Sequence, residues 1–174
     1  MQGDGYVEQQ SAACNVCPRG ASQGVPPFAP GCGGGDSYVM TPGNVRVEGG
    51  RDITFRSCVF RHLGAYGAGA DRGSQRVAWQ NCTFHDLSGG AIMLGGLDTC
   101  DDKDASQWDR DFRIEDCKIT NLPVEYTGAT AVFFGYVENS TLEHNWMENM
   151  TYSAMTIGCE WLNAVLFGQT EAGH

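Results

Sequence analysis

Residues 53–63, ITFRSCVFRHL, return as VAWQNCTFHDL at 77–87, as FRIEDCKITNL at 112–122 and as STLEHNWMENM at 140–150. The first position is apolar in three copies and Ser140 in the fourth, and every copy places an apolar residue at the third position, a small residue at the sixth, an apolar residue at the eighth and Leu or Met at the eleventh. The copies start at Ile53, Val77, Phe112 and Ser140, so the steps are 24, 35 and 28 residues. Self-similarity at this period marks a solenoid, whose coils cannot bury an apolar face alone and must stack. The alternation within each copy and its β-branched and aromatic residues specify strands, and the runs are too short and too often broken by Gly for helices. A third apolar piece follows most copies: Ala91, Ile92 and Leu94; Ala131, Val132 and Phe134; Ala154, Met155 and Ile157. Val45 and Val47 precede the first. The expected fold is therefore all-β, a parallel solenoid of about five coils with three short strands per coil.

Stacking brings equivalent residues of successive coils to about 4.8 Å. Cys58, Cys82, Cys117 and Asn145 then form one column, because a thiol is small and buries well and Asn hydrogen-bonds along a turn. A packing ladder is one reading of the thiols. A disulfide between neighbours is the other, given suitable Cα spacing and an oxidising compartment.

The stretches NVRVEGGRDITFRSCVFRHLGAYGAGADRGSQRVAWQNCTFHDLSGGAIMLGG (44–96) and EYTGATAVFFGYVENSTLEHNWMENMTYSAMTIG (125–158) resemble consecutive coils of right-handed parallel β-helix proteins of the pectate-lyase-like superfamily. The resemblance spans residues 38–161. It implies a right-handed parallel β-helix, a carbohydrate-active protein of glycoside-hydrolase type acting on extracellular polysaccharide, and an extracellular location. It also implies more coils than this sequence supplies, so the chain is expected to be a fragment or truncated form of a longer β-helix protein. The division expected is a loop-rich leader or cap over 1–37, the β-helix over 38–161 and an irregular or short helical tail over 162–174.

The chain carries a formal charge of −10, and its distribution is uneven. Residues 1–89 hold 7 basic and 7 acidic side chains, whereas residues 90–174 hold 4 basic and 14 acidic. Such a surface repels phosphates, which argues against nucleic acid, and disfavours polyanionic sugars unless a metal bridges them. Neutral polysaccharide fits better, bound by a monomer. No stretch approaches the roughly 18 apolar residues of a membrane span, and the chain as given has no signal peptide pattern. Eight Cys, and Asn-x-Thr sequons at Asn81, Asn139 and Asn149, suit a secreted protein. A turn Asn followed by a strand Thr is also what the repeat itself supplies. Cys14 and Cys17 form a C-x-x-C pair, but no second pair follows at zinc-site spacing; a disulfide with Cys32 and free thiols are the alternatives.

Chemistry on a solenoid belongs to outward faces and loops. Paired carboxylates can divide glycoside hydrolysis between an acid and a base or nucleophile, and an aromatic can stack on a sugar ring. The insertion GGLDTCDDKDASQWDRD (95–111) offers Asp98, Asp101 and Asp102 as candidate catalytic acids and Trp108 as a sugar platform. A solvated acidic loop, or a calcium site built from hard oxygen ligands, reads the same residues; no cofactor is otherwise implied. A second cluster offers Glu125 and Glu160 as catalytic carboxylates facing one groove, with Tyr126, His144, Tyr152 and Trp161 as sugar contacts. His144 also reads as an outward turn histidine. Two rivals to hydrolysis stand beside it: a carbohydrate-binding or structural β-helix without turnover, and a calcium-dependent polysaccharide lyase. The lyase needs a basic column as well, and only Arg110 and Arg113 lie near the acidic loop.

Overall fold

The computed structural model describes residues 43–95, 107–126 and 128–157. In chain order the strands are β1 (Gly43–Glu48), β2 (Arg51–Arg56), β3 (Val59–Arg61), β4 (Tyr66–Asp71), β5 (Gln75–Gln80), β6 (Thr83–His85), β7 (Ile92–Leu94) and β8 (Asp109–Arg110). They continue as β9 (Arg113–Glu115), β10 (Lys118–Leu122), β11 (Val132–Phe134), β12 (Val137–Glu138), β13 (Thr141–Glu143), β14 (Trp146–Met150) and β15 (Met155–Ile157). All pairings are parallel, and they form three long sheets. Sheet A runs β1-β4-β7-β11-β15, sheet B joins β2 to β5, then β8 and β9, then β12 and β13, and sheet C runs β3-β6-β10-β14. The chain thus winds A, B, C, A through about four turns of a parallel β-solenoid, one fewer than the five expected.

The repeat registers as the sequence demands. Ile53 pairs with Val77, Phe55 with Trp79 and Trp79 with Ile114 in sheet B; Phe60, Phe84, Ile119 and Met147 stack in sheet C. The rings of Phe60 and Phe84 lie parallel with centroids 4.5 Å apart, and Phe55 stacks on Trp79 at 5.5 Å. The middle coils bury Trp79, Phe84, Leu87, Ile114, Ile119 and Leu122 completely. Each such side chain contributes about 1.5–3 kcal/mol through the water it leaves.

Strand β4 was not legible as a strand. Its sequence YGAGAD shows no large apolar alternation, yet Ala68 and Ala70 lie in the core beside Val47, Ile92 and Leu94 of neighbouring coils. Small residues are required there because the chain is crowded: a Cβ on Gly67 would meet Phe84 and Leu87, and one on Gly90 would collide with the Thr130 carbonyl oxygen and the Tyr66 ring.

Three columns of left-handed corner residues separate the sheets. Asp52, Arg76, Asp111 and Asn139 sit where the chain enters the main run of sheet B, Ser57, Asn81, Asp116 and His144 between B and C, and His62, Asp86, Asn121 and Asn149 where it leaves C. All have φ between 46° and 59°. Asn and Asp dominate because their short polar side chains tolerate this region and bond locally.

The thiol column forms as expected, as free thiols: Cys58, Cys82 and Cys117 are unpaired. Each Sγ reaches the carbonyl two residues back, Arg56, Gln80 and Glu115 respectively, and Asn145 Nδ2 does the same to Glu143 at 2.8 Å. Each rung also engages the coil before it. Cys82 reaches the Phe55 carbonyl, Cys117 that of Trp79, and Asn145 that of Ile114. In return the Cys117 amide donates to Asn145 Oδ1 at 2.8 Å.

Candidate glycan-binding face

Inward positions are occupied by the core, so the functional surface is built from what alternation leaves outside. In sheet C the inward residues are Phe60, Phe84, Ile119 and Met147; the residues on either side of each lie on the other face, Thr120 buried among them and the rest exposed or half-buried. One outward column is Val59, Thr83, Lys118 and Trp146, and the other is Arg61, His85, Thr120 and Glu148. The left-handed corner that follows adds a third, His62, Asp86, Asn121 and Asn149. Three columns thus run side by side along the solenoid axis, one of mixed character and two mainly polar.

These columns are cross-linked. His62 Nε2 lies 3.2 Å from Asp86 Oδ2, and His85 Nδ1 lies 3.1 Å from Thr120 Oγ1 and 3.4 Å from Asn121 Nδ2. Asn149 Nδ2 donates to Asn121 Oδ1 at 3.0 Å, and the Trp146 indole donates to Glu148 at 3.1 Å. The last bond fixes an indole that is 63% exposed, against a core where Trp79 is wholly buried. Val59, 64% exposed, begins the same column that Trp146 ends. The face carries Arg61 and Lys118 against Asp86 and Glu148, so its formal charges balance, although the chain as a whole is strongly acidic.

The residues singled out in the sequence distribute around this face unevenly. His144 is an exposed left-handed corner residue two positions before Trp146, at the margin between B and C. Glu125 and Tyr126 occupy the loop leaving sheet C, their amides donating to the Ser88 carbonyl, and Glu125 is exposed. Tyr152 lies on the same side one coil further on, where Thr151 Oγ1 donates to the Pro123 carbonyl. Coils three and four therefore bring His144, Glu125, Tyr126 and Tyr152 to the two borders of sheet C. Trp108 is elsewhere: it precedes β8 at the start of sheet B, its carbonyl accepting from Gln75 Nε2 at 3.4 Å. Asp98, Asp101, Asp102, Glu160 and Trp161 lie outside the described residues.

Two acids of the 95–111 insertion are structural. Asp109 is buried and accepts the Gly73 and Ser74 amides at 3.0 and 2.9 Å, capping the turn between β4 and β5. Asp111 is a corner residue that accepts from Asn139 Nδ2 at 2.6 Å. Among the described residues no group of three or more His, Cys, Asp or Glu is placed to hold a metal ion.

The sequon asparagines are exposed corner residues, one in each corner column, and each amide donates to the corner residue of the preceding coil: Asn81 to Ser57, Asn139 to Asp111 and Asn149 to Asn121. The repeat alone accounts for them.

Sheet B presents a second outward column, Arg56, Gln80, Glu115 and Glu143. Arg56 donates two bonds to Gln80 Oε1, at 3.1 and 2.6 Å, and Gln80 Nε2 donates a short one to Glu115. Arg113 lies 3.7 Å from the Glu115 carboxylate. At the neighbouring corner the Arg76 guanidinium, bonded to Asp52, holds that exposed carboxyl below its ordinary range.

Sequence reading missed Trp146, His85, Thr120, Asn121 and Glu148. The signal was present: Trp146 stands between the inward Asn145 and Met147, which makes it outward by alternation, and an outward Trp beside an inward Met is the anomaly to notice. No family model matches the chain, and no curated protein or solved structure is significantly similar to it.

Proposed function

We infer that this solenoid binds an extended neutral glycan along the outward face of sheet C. The observation that carries the reading is Trp146, an exposed indole bonded to Glu148 and lying beside two columns of mainly polar residues whose formal charges balance. Successive coils repeat at about 4.8 Å, close to the advance per ring of an extended sugar chain. A bound chain would then find Asn121, then Glu148 and Asn149, in step with its hydroxyls, and a ring face against Trp146. Charge balance favours neutral sugars, since a polyanion would be opposed by Asp86, Glu148 and the acidic second half of the chain. The likeness of the repeat to the pectate-lyase-like superfamily supports a carbohydrate ligand and an extracellular setting; fold alone does not assign chemistry.

The test is equilibrium binding of the full chain to a panel of neutral β-linked oligosaccharides. Trp146→Ala is expected to weaken binding by about tenfold or more, the loss of one stacked aromatic contact in a desolvated position. Trp108→Ala, on the sheet B side, is expected to leave it unchanged. Loss in the second variant and not the first would move the ligand to the acidic insertion and sink this reading.

A hydrolytic reading has one specific support. Glu143 and Glu115 are paired in register on neighbouring strands of sheet B, so two carboxyl groups project from one face, the residue types that divide glycoside hydrolysis. Reducing-end release from the same oligosaccharides, abolished in Glu143→Gln, would establish turnover; release unaffected by that change would dismiss the pair.

A further inference from the structure

Three register columns cross the whole stack, buried at Gln75 and Thr120 in the middle coils, and each begins with an exposed Arg in the first coil and ends with an exposed Glu in the last. Arg51 pairs with Gln75, Gln75 with Arg110 and Arg110 with Glu138. Arg56 leads through Gln80 and Glu115 to Glu143, and Arg61 through His85 and Thr120 to Glu148. All six terminal residues are exposed. The two ends of the described solenoid thus carry opposite charge at equivalent register positions.

The ends are also where the core is incompletely covered. Phe55 and Leu63 in the first coil, and Leu142, Met147 and Met150 in the last, are only partly buried, whereas their counterparts Trp79, Leu87, Ile114, Ile119 and Leu122 are sealed. Met155 remains 40% exposed. Among the described residues, β1, β2 and β3 are hydrogen-bonded on one edge only, as are β13, β14 and β15. Unpaired parallel edges over an open apolar layer are templates for another coil.

We propose that a second copy of this chain stacks its first coil on the last coil of the one before, continuing the three sheets across the junction. Arg51, Arg56 and Arg61 of the incoming copy then face Glu138, Glu143 and Glu148, Phe55 covers Leu142, and Phe60 covers Met147. The contact is head-to-tail, so it propagates rather than closing as a symmetric dimer. The sequence alone pointed to a monomer, since neither the open ends nor the register of the charged columns can be read without the stacking. The proposal does not depend on the glycan reading.

Sedimentation velocity of the full chain across a concentration series tests it. The mass of the wild type is expected to grow with concentration. Glu138→Arg/Glu143→Arg sets like charges across the junction, as does Arg51→Glu/Arg56→Glu, and each pair is expected to weaken association at least about a hundredfold. An equimolar mixture of the two variants restores opposite charges at every junction and is expected to recover the wild-type masses, which also shows that both variants fold. A wild type that stays monomeric at the highest concentration reached, as when residues 1–42 or 158–174 cover the ends, would overturn the proposal. So would association indifferent to either pair of changes, or a mixture that fails to recover.

Discussion

Asn145 shows why one residue type can end a ladder that thiols begin. Its amide donates to the carbonyls of Ile114 and Glu143 while its oxygen accepts the Cys117 amide, bonds that Cys82 and Cys117 make with weaker sulfur contacts. Asn145→Ala strips the partner from the Cys117 amide and is expected to cost about 1–3 kcal/mol, the desolvation penalty of an unmet buried donor, measured by denaturant unfolding. Cys117→Ala, which leaves the Asn145 bonds to carbonyls intact, is expected to cost less. Burial pushes the Cys117 thiol up to about 11 from an ordinary 9.0 and raises Cys82 as well. The folded chain therefore holds these protons more tightly than the unfolded chain. Their contribution to stability is fully present below pH 9.0 and is lost as pH rises toward about 11. Melting temperature is expected to fall over that window, and less steeply in Cys82→Ala/Cys117→Ala; identical slopes would remove the thiols from the account. The column was legible because spacing alone aligns its members. Its free thiols were not, since pairing depends on atomic positions that spacing does not give.

At the scale of the element, corners and strands obey different rules, and only the strands leave a hydrophobic trace. The apolar alternation of residues 53–63 and its copies identified sheets B and C, and Ile92, Val132 and Ile157 identified most of sheet A. Strand β4 escaped because Ala68 and Ala70 occupy core positions that larger side chains fill elsewhere, and Gly67 and Gly90 are there to let Phe84 and Tyr66 pack. Gly90→Ala is expected to be strongly destabilising, since its Cβ meets a backbone oxygen that cannot yield. The left-handed corners were visible only as scattered Asn and Asp. Asn121 has φ 54°, so Asn121→Val is expected to cost about 1–3 kcal/mol in unfolding free energy, whereas Asn121→Gly is tolerated. Equal effects of the two changes would show that the corner is not held by its backbone.

Across the whole molecule, the repeat sorts residues by role. Inward columns make a continuous core around Trp79, so Trp79→Ala is expected to lose about 3–5 kcal/mol. Corner columns hold the turns, and outward columns are free to differ from coil to coil. That freedom is why function was less legible than fold. The acidic insertion stands out by composition, yet Asp109 and Asp111 cap and brace turns, while the sheet C face is assembled from single residues of four coils separated by 24 to 35 positions in the chain. The measurement that bears most directly on the account is amide chemical-shift mapping of the full chain titrated with a neutral β-linked oligosaccharide. Saturable shifts confined to Thr83–His85, Lys118–Asn121 and Trp146–Asn149 are the result expected. Shifts concentrated on sheet B around Glu115 and Glu143, or none at all, would contradict it.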